Sequence, residues 1–269
     1  MATIEVNGTT LYYEDTGPGS TGQTIAFSHG LLWGTELFAP QIAALRGRYR
    51  CIAWDHRGQG KSAADVHRNT IGMELVWHDA TRLLERVAGG PVHFCGLSMG
   101  GFVALRMAAF RPELVRSLIL IETSADPEPP ANLGRYRMLT RVVKLLGPRV
   151  VQGRVNQIMF GKTILSDPAR ASEVAQYAQL MSRRPDIWRA VHGVIDRAPI
   201  HDDLGRISAP ALVIVGDEDV ATTPEKAERL AAGLRGARLV RIPRAGHSAS
   251  VEEPAAVTAA IESFLAALP

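Results

Sequence analysis

Two rhythms of apolar residues alternate along this chain. Short apolar runs bounded by Gly, Pro or Asp recur at Thr24–Ser28, Tyr49–Trp54, Val92–Cys95, Leu118–Ile121, Ala211–Val215 and Arg238–Ile242, as expected of strands buried on both faces. Between them, apolar positions at helical spacing predict helices over Phe38–Leu45, Thr70–Val87, Gly101–Phe110, Pro224–Leu234 and Pro254–Leu268. Two further strand patterns, Thr3–Val6 and Leu11–Asp15, flank Asn7-Gly8, a dipeptide that supplies the positive φ angles of a tight hairpin turn. The pattern predicts a mostly parallel, doubly wound α/β sheet of eight strands that starts antiparallel. From Ile121 to Ala211 the strand rhythm stops, and helical patterns at Arg135–Leu146, Val150–Phe160, Ala169–Met181 and Ile187–Asp196 fill the gap. An α-helical cap is expected there, inserted after a strand's C-terminal end and so over the edge where α/β sheets bind ligands. The chain divides on this reading into a core of 1–123 and 206–269 with a cap at 124–205.

Length and composition narrow the class without naming a reaction. At 269 residues, 46% hydrophobic and 21% charged, the chain is ample for one α/β core with an insertion. It has no run of 18 apolar residues, and its first residues enter a strand pattern directly, without the basic and apolar regions of a secretory signal. A soluble, cytoplasmic protein without membrane association is expected. Cys51 and Cys95 both lie in apolar strand patterns, which predicts buried thiols and no disulfide. A net charge of +3, with no dense basic run or aromatic interleaving, gives no reason to expect nucleic acid as a partner.

The chemistry concentrates where Val92–Cys95 runs into Gly96-Leu97-Ser98-Met99-Gly100-Gly101 and then a helical pattern. Strand, Gly-x-Ser-x-Gly and helix in that order form a nucleophile elbow, a turn so tight that the serine hydroxyl projects free of the sheet. The backbone N–H of Met99, at the start of the following helix, points at the oxyanion formed when Ser98 adds to a carbonyl. Such a serine needs a base, and the base an orienting acid. The strand at 211–215 ends in Gly216-Asp217-Glu218-Asp219, and the next strand ends in a loop that carries His247. One helix and one strand separate Asp219 from His247, so both loops return to the edge that holds Ser98. The order Ser98, Asp219, His247 is that of nucleophile, acid and base in such folds. Glu122, at the end of the strand after the elbow helix, is the alternative acid.

Over essentially its full length the chain resembles the α/β-hydrolase superfamily. The elbow carries that likeness, together with Phe27-Ser28-His29-Gly30-Leu31, similar to the family's His-Gly loop, and Asp55-His56-Arg57-Gly58-Gln59-Gly60-Lys61-Ser62, similar to its Asp-x-Arg-Gly-x-Gly-x-Ser turn. The resemblance implies an α/β-hydrolase fold, a second oxyanion donor in the backbone N–H of Leu31, and an architectural role for Asp55 and Arg57. Within the superfamily, the Leu31–Gln41 stretch, the elbow and Glu122-Thr123-Ser124-Ala125 most resemble the 3-oxoadipate enol-lactonase-like esterases and lactonases. A serine hydrolase of carboxylic esters or lactones is therefore expected, acting on a small molecule.

Other readings stay open. A C–C bond hydrolase and a cofactor-free perhydrolase or haloperoxidase use the same triad, and a ligand-binding receptor can keep the fold. A haloalkane dehalogenase needs a carboxylate where this chain has Ser98. No cofactor is expected, because the glycines at 96, 100 and 101 lack the dinucleotide register, and no metal is expected, because the other histidines lack ligand spacing. Trp33, Phe38 and Trp188 are candidates for the substrate pocket. Between Ala131 and Ser166 seven basic residues occur with no Asp or Glu, either a solvated cap face or an attraction for anionic substrates. The oligomeric state stays open, a homo-oligomer included.

Overall fold

The computed structural model describes residues 2–65 and 67–268. Its strands are β1 (Ala2–Val6), β2 (Thr9–Asp15), β3 (Thr24–Ser28), β4 (Arg50–Trp54), β5 (Val92–Leu97), β6 (Val115–Ile121), β7 (Ala211–Gly216) and β8 (Arg238–Ile242). They form one eight-stranded sheet in the order β1-β2-β4-β3-β5-β6-β7-β8. The first three in that order pair antiparallel and the rest parallel. The hairpin turns at Asn7 and Gly8, both at positive φ (43° and 73°), and brings Val6 opposite Thr9. The central strands are buried along their whole length, so alternate residues pack on opposite faces. Phe94, Leu118 and Val213 point to one apolar cluster, and Cys95, Ile119 and Ile214 to another.

Helices cover both faces. Those in the core are α1 (Ala39–Leu45), α2 (Met73–Val87) and α3 (Met99–Phe110). The cap follows as α4 (Pro130–Leu146), α5 (Gln152–Met159), α6 (Lys162–Ser166), α7 (Ala171–Met181) and α8 (Trp188–Ile195), and the core resumes with α9 (Pro224–Gly233), α10 (Ala249–Glu252) and α11 (Pro254–Ala266). Val76 and Leu83 of α2, Leu105 of α3 and Leu230 of α9 fill one cluster, while Leu45 of α1 and Ile261 of α11 fill the other. The short helices α6 and α10 fall below the length at which helical periodicity separates from noise, and the sequence pattern did not reveal them. Ile200 and Leu204 already pack in the sheet's own cluster, so the chain returns to core packing a few residues before 206. Among the described residues no helix is long and apolar enough to cross a membrane.

The Asp55–Ser62 turn is held by buried charge. The Arg57 guanidinium donates to both carboxylate oxygens of Asp79, at 2.7 and 2.8 Å, and to Asp65 at 3.1 Å. Asp55 accepts the N–H groups of Thr35 (2.7 Å) and Lys61 (2.6 Å). Removing one member of so buried a pair leaves its partner's charge uncompensated, which is strongly destabilising. Cys51 and Cys95 are buried and free, and burial pushes the Cys51 thiol up to about 12.

Candidate active site

Ser98 sits between β5 and α3 at φ 52°, ψ −112°, a conformation that a non-glycine residue adopts only where its surroundings impose it. The glycines around it are obligatory. A Cβ on Gly96 would lie 2.4 Å from the carbonyl oxygen of Gly100, and a Cβ on Gly100 only 1.9 Å from that of Ser28. The turn is further fixed by the Ser98 N–H donating to Ile121 O at 2.8 Å and by Thr123 Oγ1 donating to Ser98 O at 2.9 Å.

The loops after β7 and β8 bring their side chains to the same edge. His247 Nε2 lies 2.9 Å from Ser98 Oγ, and its Nδ1 2.8 Å from Asp219 Oδ2. Asp219 Oδ1 accepts the N–H groups of Ala221 (2.7 Å) and Thr222 (3.0 Å), and Oδ2 also accepts Thr222 Oγ1 (2.8 Å). Burial opposes ionisation of Asp219, but the imidazole's charge and the bonds from His247 and Thr222 outweigh it and hold the carboxyl at about 2. An ionised Asp219 requires the proton on His247 Nδ1, leaving Nε2 free to accept from the Ser98 hydroxyl. Glu122 does not reach the imidazole in this role, because Asp219 occupies Nδ1. The alternative acid instead lies behind Asp219, fully buried, with Oε1 accepting the Gly216 N–H at 2.8 Å.

The His-Gly loop packs directly against the elbow. A Cβ on Gly30 would stand 2.9 Å from Leu97 Cδ2 and 3.4 Å from Ser98 Cβ, so the backbone carrying Leu31 runs in van der Waals contact with the elbow and a larger residue would press on the Leu97 side chain. The N–H of Met99 opens α3, where no carbonyl of the helix itself is available to it. His29 has a structural role. Its Nε2 accepts the His56 N–H at 3.0 Å, which puts its proton on Nδ1 for donation to Gly30 O at 2.7 Å. Burial lowers its pKa and keeps it in that neutral form.

A cavity of about 170 Å³ opens beside Ser98 and His247. Leu31, Leu32 and Phe102 line it from the core, and Leu139, Val143 and Val151 from the cap. Its charged lining residues apart from His247 are Glu128 and Arg197, whose side chains approach at 3.4 Å, and the Arg197 guanidinium lies over the Phe102 ring at 4.2 Å. The expected pocket aromatics lie elsewhere. Trp33 packs on Tyr177 and Phe160, Phe38 packs on Phe27, and the Trp188 ring is in contact with the Lys144 ammonium and the Arg189 guanidinium. Large aromatic rings fill irregular core volume as readily as they line a cavity, and sequence spacing does not separate the two. The seven basic residues of 131–166 are all exposed and none lines the cavity.

Sequence reasoning missed three supporting residues. Gln59 accepts the Leu32 N–H at 3.0 Å through Oε1 and thereby ties the architectural turn to the His-Gly loop. Thr222 braces Asp219. Glu252 accepts the N–H groups of Gly246 (3.0 Å) and Ser248 (3.1 Å) on either side of His247, and that of Gly161 (2.8 Å) in the cap. Only Gln59 stood inside a legible motif; α10, which carries Glu252, gave no periodic signal.

Comparison with known proteins bears on the family and the fold. A model of the alpha/beta hydrolase family matches residues 25–261. A Variovorax paradoxus protein with the provisional name carbamate hydrolase RutD is 29% identical over 259 residues, covering 95% of this chain and 96% of its own. A thermophilic esterase from Thermogutta terrifontis superposes with a TM-score of 0.88 at 28% identity, over 98% of this chain and 96% of the esterase. The enol-lactonase from Burkholderia xenovorans LB400 gives 0.89 at 26% identity, over 98% and 100% of the two chains.

Proposed function

Because the chain belongs to the alpha/beta hydrolase family, we propose that it is a serine hydrolase that cleaves a carboxylic ester or lactone through an acyl-enzyme. The observation that carries this reading is the unbroken chain Ser98–His247–Asp219, with links of 2.9 and 2.8 Å, on the wall of an apolar cavity. His247 Nε2 takes the Ser98 proton as Oγ attacks the carbonyl carbon, while Asp219 stabilises the imidazolium through Nδ1–H. The oxyanion that develops is held by the N–H groups of Leu31 and Met99, and such a donor contributes roughly 10²–10³ in rate. The imidazolium then returns its proton to the departing alkoxide oxygen. Water repeats the sequence on the acyl-enzyme, losing its proton to His247 and releasing the acid and free Ser98.

Esters, lactones and carbamates share a carbonyl carbon bonded to a leaving oxygen, so one machinery would serve the esterase, enol-lactonase and carbamate hydrolase activities named for the three relatives above. The cavity favours a substrate without net charge on the acyl side, since Glu128 and Arg197 compensate each other and the seven basic residues of 131–166 face solvent. Hydrolysis of p-nitrophenyl esters from acetate to octanoate, by wild type and Ser98→Ala, tests the reading. We expect turnover that falls by roughly 10⁶ in the variant and a neutral lactone preferred over its carboxylated analogue. Equal turnover by both proteins would overturn the assignment of Ser98.

A further inference from the structure

Glu122 is an expensive residue to keep. It is fully buried, it sits at φ 47° in the left-handed region that non-glycine residues avoid, and its carboxyl stands behind a second one. Donor atoms of Glu122, Asp219 and His247 lie within 4.8 Å of one another. Two carboxylates this close in a buried site do not both ionise, so one proton is shared between them.

Hydrogen-bond donors say where that proton resides. Asp219 accepts four: Ala221 N–H, Thr222 N–H, Thr222 O–H and His247 Nδ1–H. Glu122 accepts one, the Gly216 N–H at Oε1, and its Oε2 is buried with no donor directed at it. Negative charge belongs where the donors are, on Asp219, and the Glu122 oxygen that nothing donates to is the one that carries hydrogen. We propose that Glu122 is a positioning residue, a neutral carboxylic acid whose Oε2–H donates to Asp219 and so fixes the carboxylate that orients His247. This rests on the triad reading of Ser98, His247 and Asp219. The proton stays on Glu122 throughout turnover, and His247 alone moves protons to and from the reacting atoms.

The surroundings support a neutral Glu122. Burial first and the Asp219 charge second raise its pKa well above 4.5, and Glu252, the other carboxyl nearby, pushes the same way. Among the described residues, no cation faces it from the loops after β7 and β8 except His247, and only while His247 is protonated. The ligand atoms of the same three residues are close enough together to hold a metal ion, but Asp219 and His247 already share a proton across 2.8 Å, so an ion would have to displace that bond.

Glu122→Gln keeps an acceptor for Gly216 and a donor for Asp219; Glu122→Leu keeps neither. On the ester series we expect kcat of Glu122→Gln within about threefold of wild type, and kcat of Glu122→Leu lower by roughly 10²-fold at unchanged KM, the size of a misplaced catalytic group. The pH profile separates positioning from mere packing. Wild-type kcat should fall on the alkaline side as Glu122 ionises beside Asp219, and Glu122→Gln, with nothing to ionise, should lose that limb. An alkaline limb unchanged in Glu122→Gln, or a Glu122→Gln as impaired as Glu122→Leu, overturns the proposal. So does an Asp219→Ala that keeps activity when Glu122→Leu does not, or activity lost to a chelator and restored by zinc. If Glu122→Leu does not fold, the Glu122→Gln profile decides alone. Full activity of Ser98→Ala would instead sink the serine mechanism and leave the acid pair untouched as a structural finding.

Discussion

At the sheet edge, Ser98, Asp219 and His247 are 8%, 3% and 5% exposed, and each is fixed by hydrogen bonds to its turn: Ser98 by the Ile121 carbonyl of β6, Asp219 by N–H groups of its own loop, and the flanks of His247 by Glu252. Across the cavity, α4 of the cap leaves Leu145 80% and Leu146 68% exposed, and a small apolar cluster around Val143, Val151 and Ile187 holds it in place. The edge is over-determined: glycine clearances, buried ion pairs and backbone hydrogen bonds all demand the same conformation. The cap relies on side-chain packing, which tolerates substitution when volume is conserved. Reaction chemistry therefore belongs to the rigid part and substrate range to the adaptable one, a division that loops and insertions on a fixed scaffold make possible.

The sharpest way to break this contrast is to spoil a clearance at the edge. In Gly100→Ala the new methyl would lie 1.9 Å from Ser28 O, a backbone atom that cannot swing aside. We expect destabilisation of about 3 kcal/mol or more and turnover reduced to background, both read from a denaturant melt and an ester assay. Near-normal activity would mean that the elbow is plastic and that the contrast is wrong.

Glu252 joins the two regions, since it binds both flanks of the His247 loop and Gly161 at the start of α6. Burial and then the charge of Asp219 outweigh its three N–H donors and raise its carboxyl to about 7 from 4.5. A raised folded-state value means stability that is complete below pH 4.5 and is lost as pH climbs through about 7. At about 1.36 kcal/mol per pH unit, the loss approaches about 3 kcal/mol, and Glu122 adds to it in the same direction. Asp219 behaves oppositely: its contribution is full above 3.8 and lost as pH falls through about 2. Urea melts from pH 5 to 8 should show the decline in wild type and a flatter slope in Glu252→Gln. A flat wild-type profile would show that the joint between edge and cap is not strained by ionisation.

The same contrast explains what was legible in the residues alone. Strand runs such as Ala211–Gly216 are apolar because both faces are covered, so burial is written directly in composition. The elbow and the order Ser98, Asp219, His247 were legible because glycine clearances and turn geometry restrict residue type at fixed spacing. Nothing comparable constrains the cap. Its longer helices were visible as periodicity and the short α6 was not; Trp188 in the cap, like Trp33 and Phe38 in the core, could not be sorted into core or lining, since both environments select the same residues. Glu122 was visible as a carboxylate at a strand end. Its place behind Asp219 was not, because that depends on how the β7 loop folds over it.

The smallest effect concerns the cavity wall. Val143 lines the cavity from α4 and is 8% exposed. Val143→Ala removes two methyl groups from the cap's small cluster, which should cost about 1–2 kcal/mol, less than a comparable cut in the sheet core because Val143 borders an open cavity. Turnover of the preferred ester should change little, since no group that touches the reacting carbonyl has moved. The preference along the acetate-to-octanoate series should shift toward longer chains, as the vacated volume admits about one further methylene. A methylene in an apolar pocket is worth about 1–3 kcal/mol of discrimination, enough for a shift of one chain length. If chain preference stays fixed while kcat drops, Val143 is reporting on the edge instead, and the cap does not set substrate range.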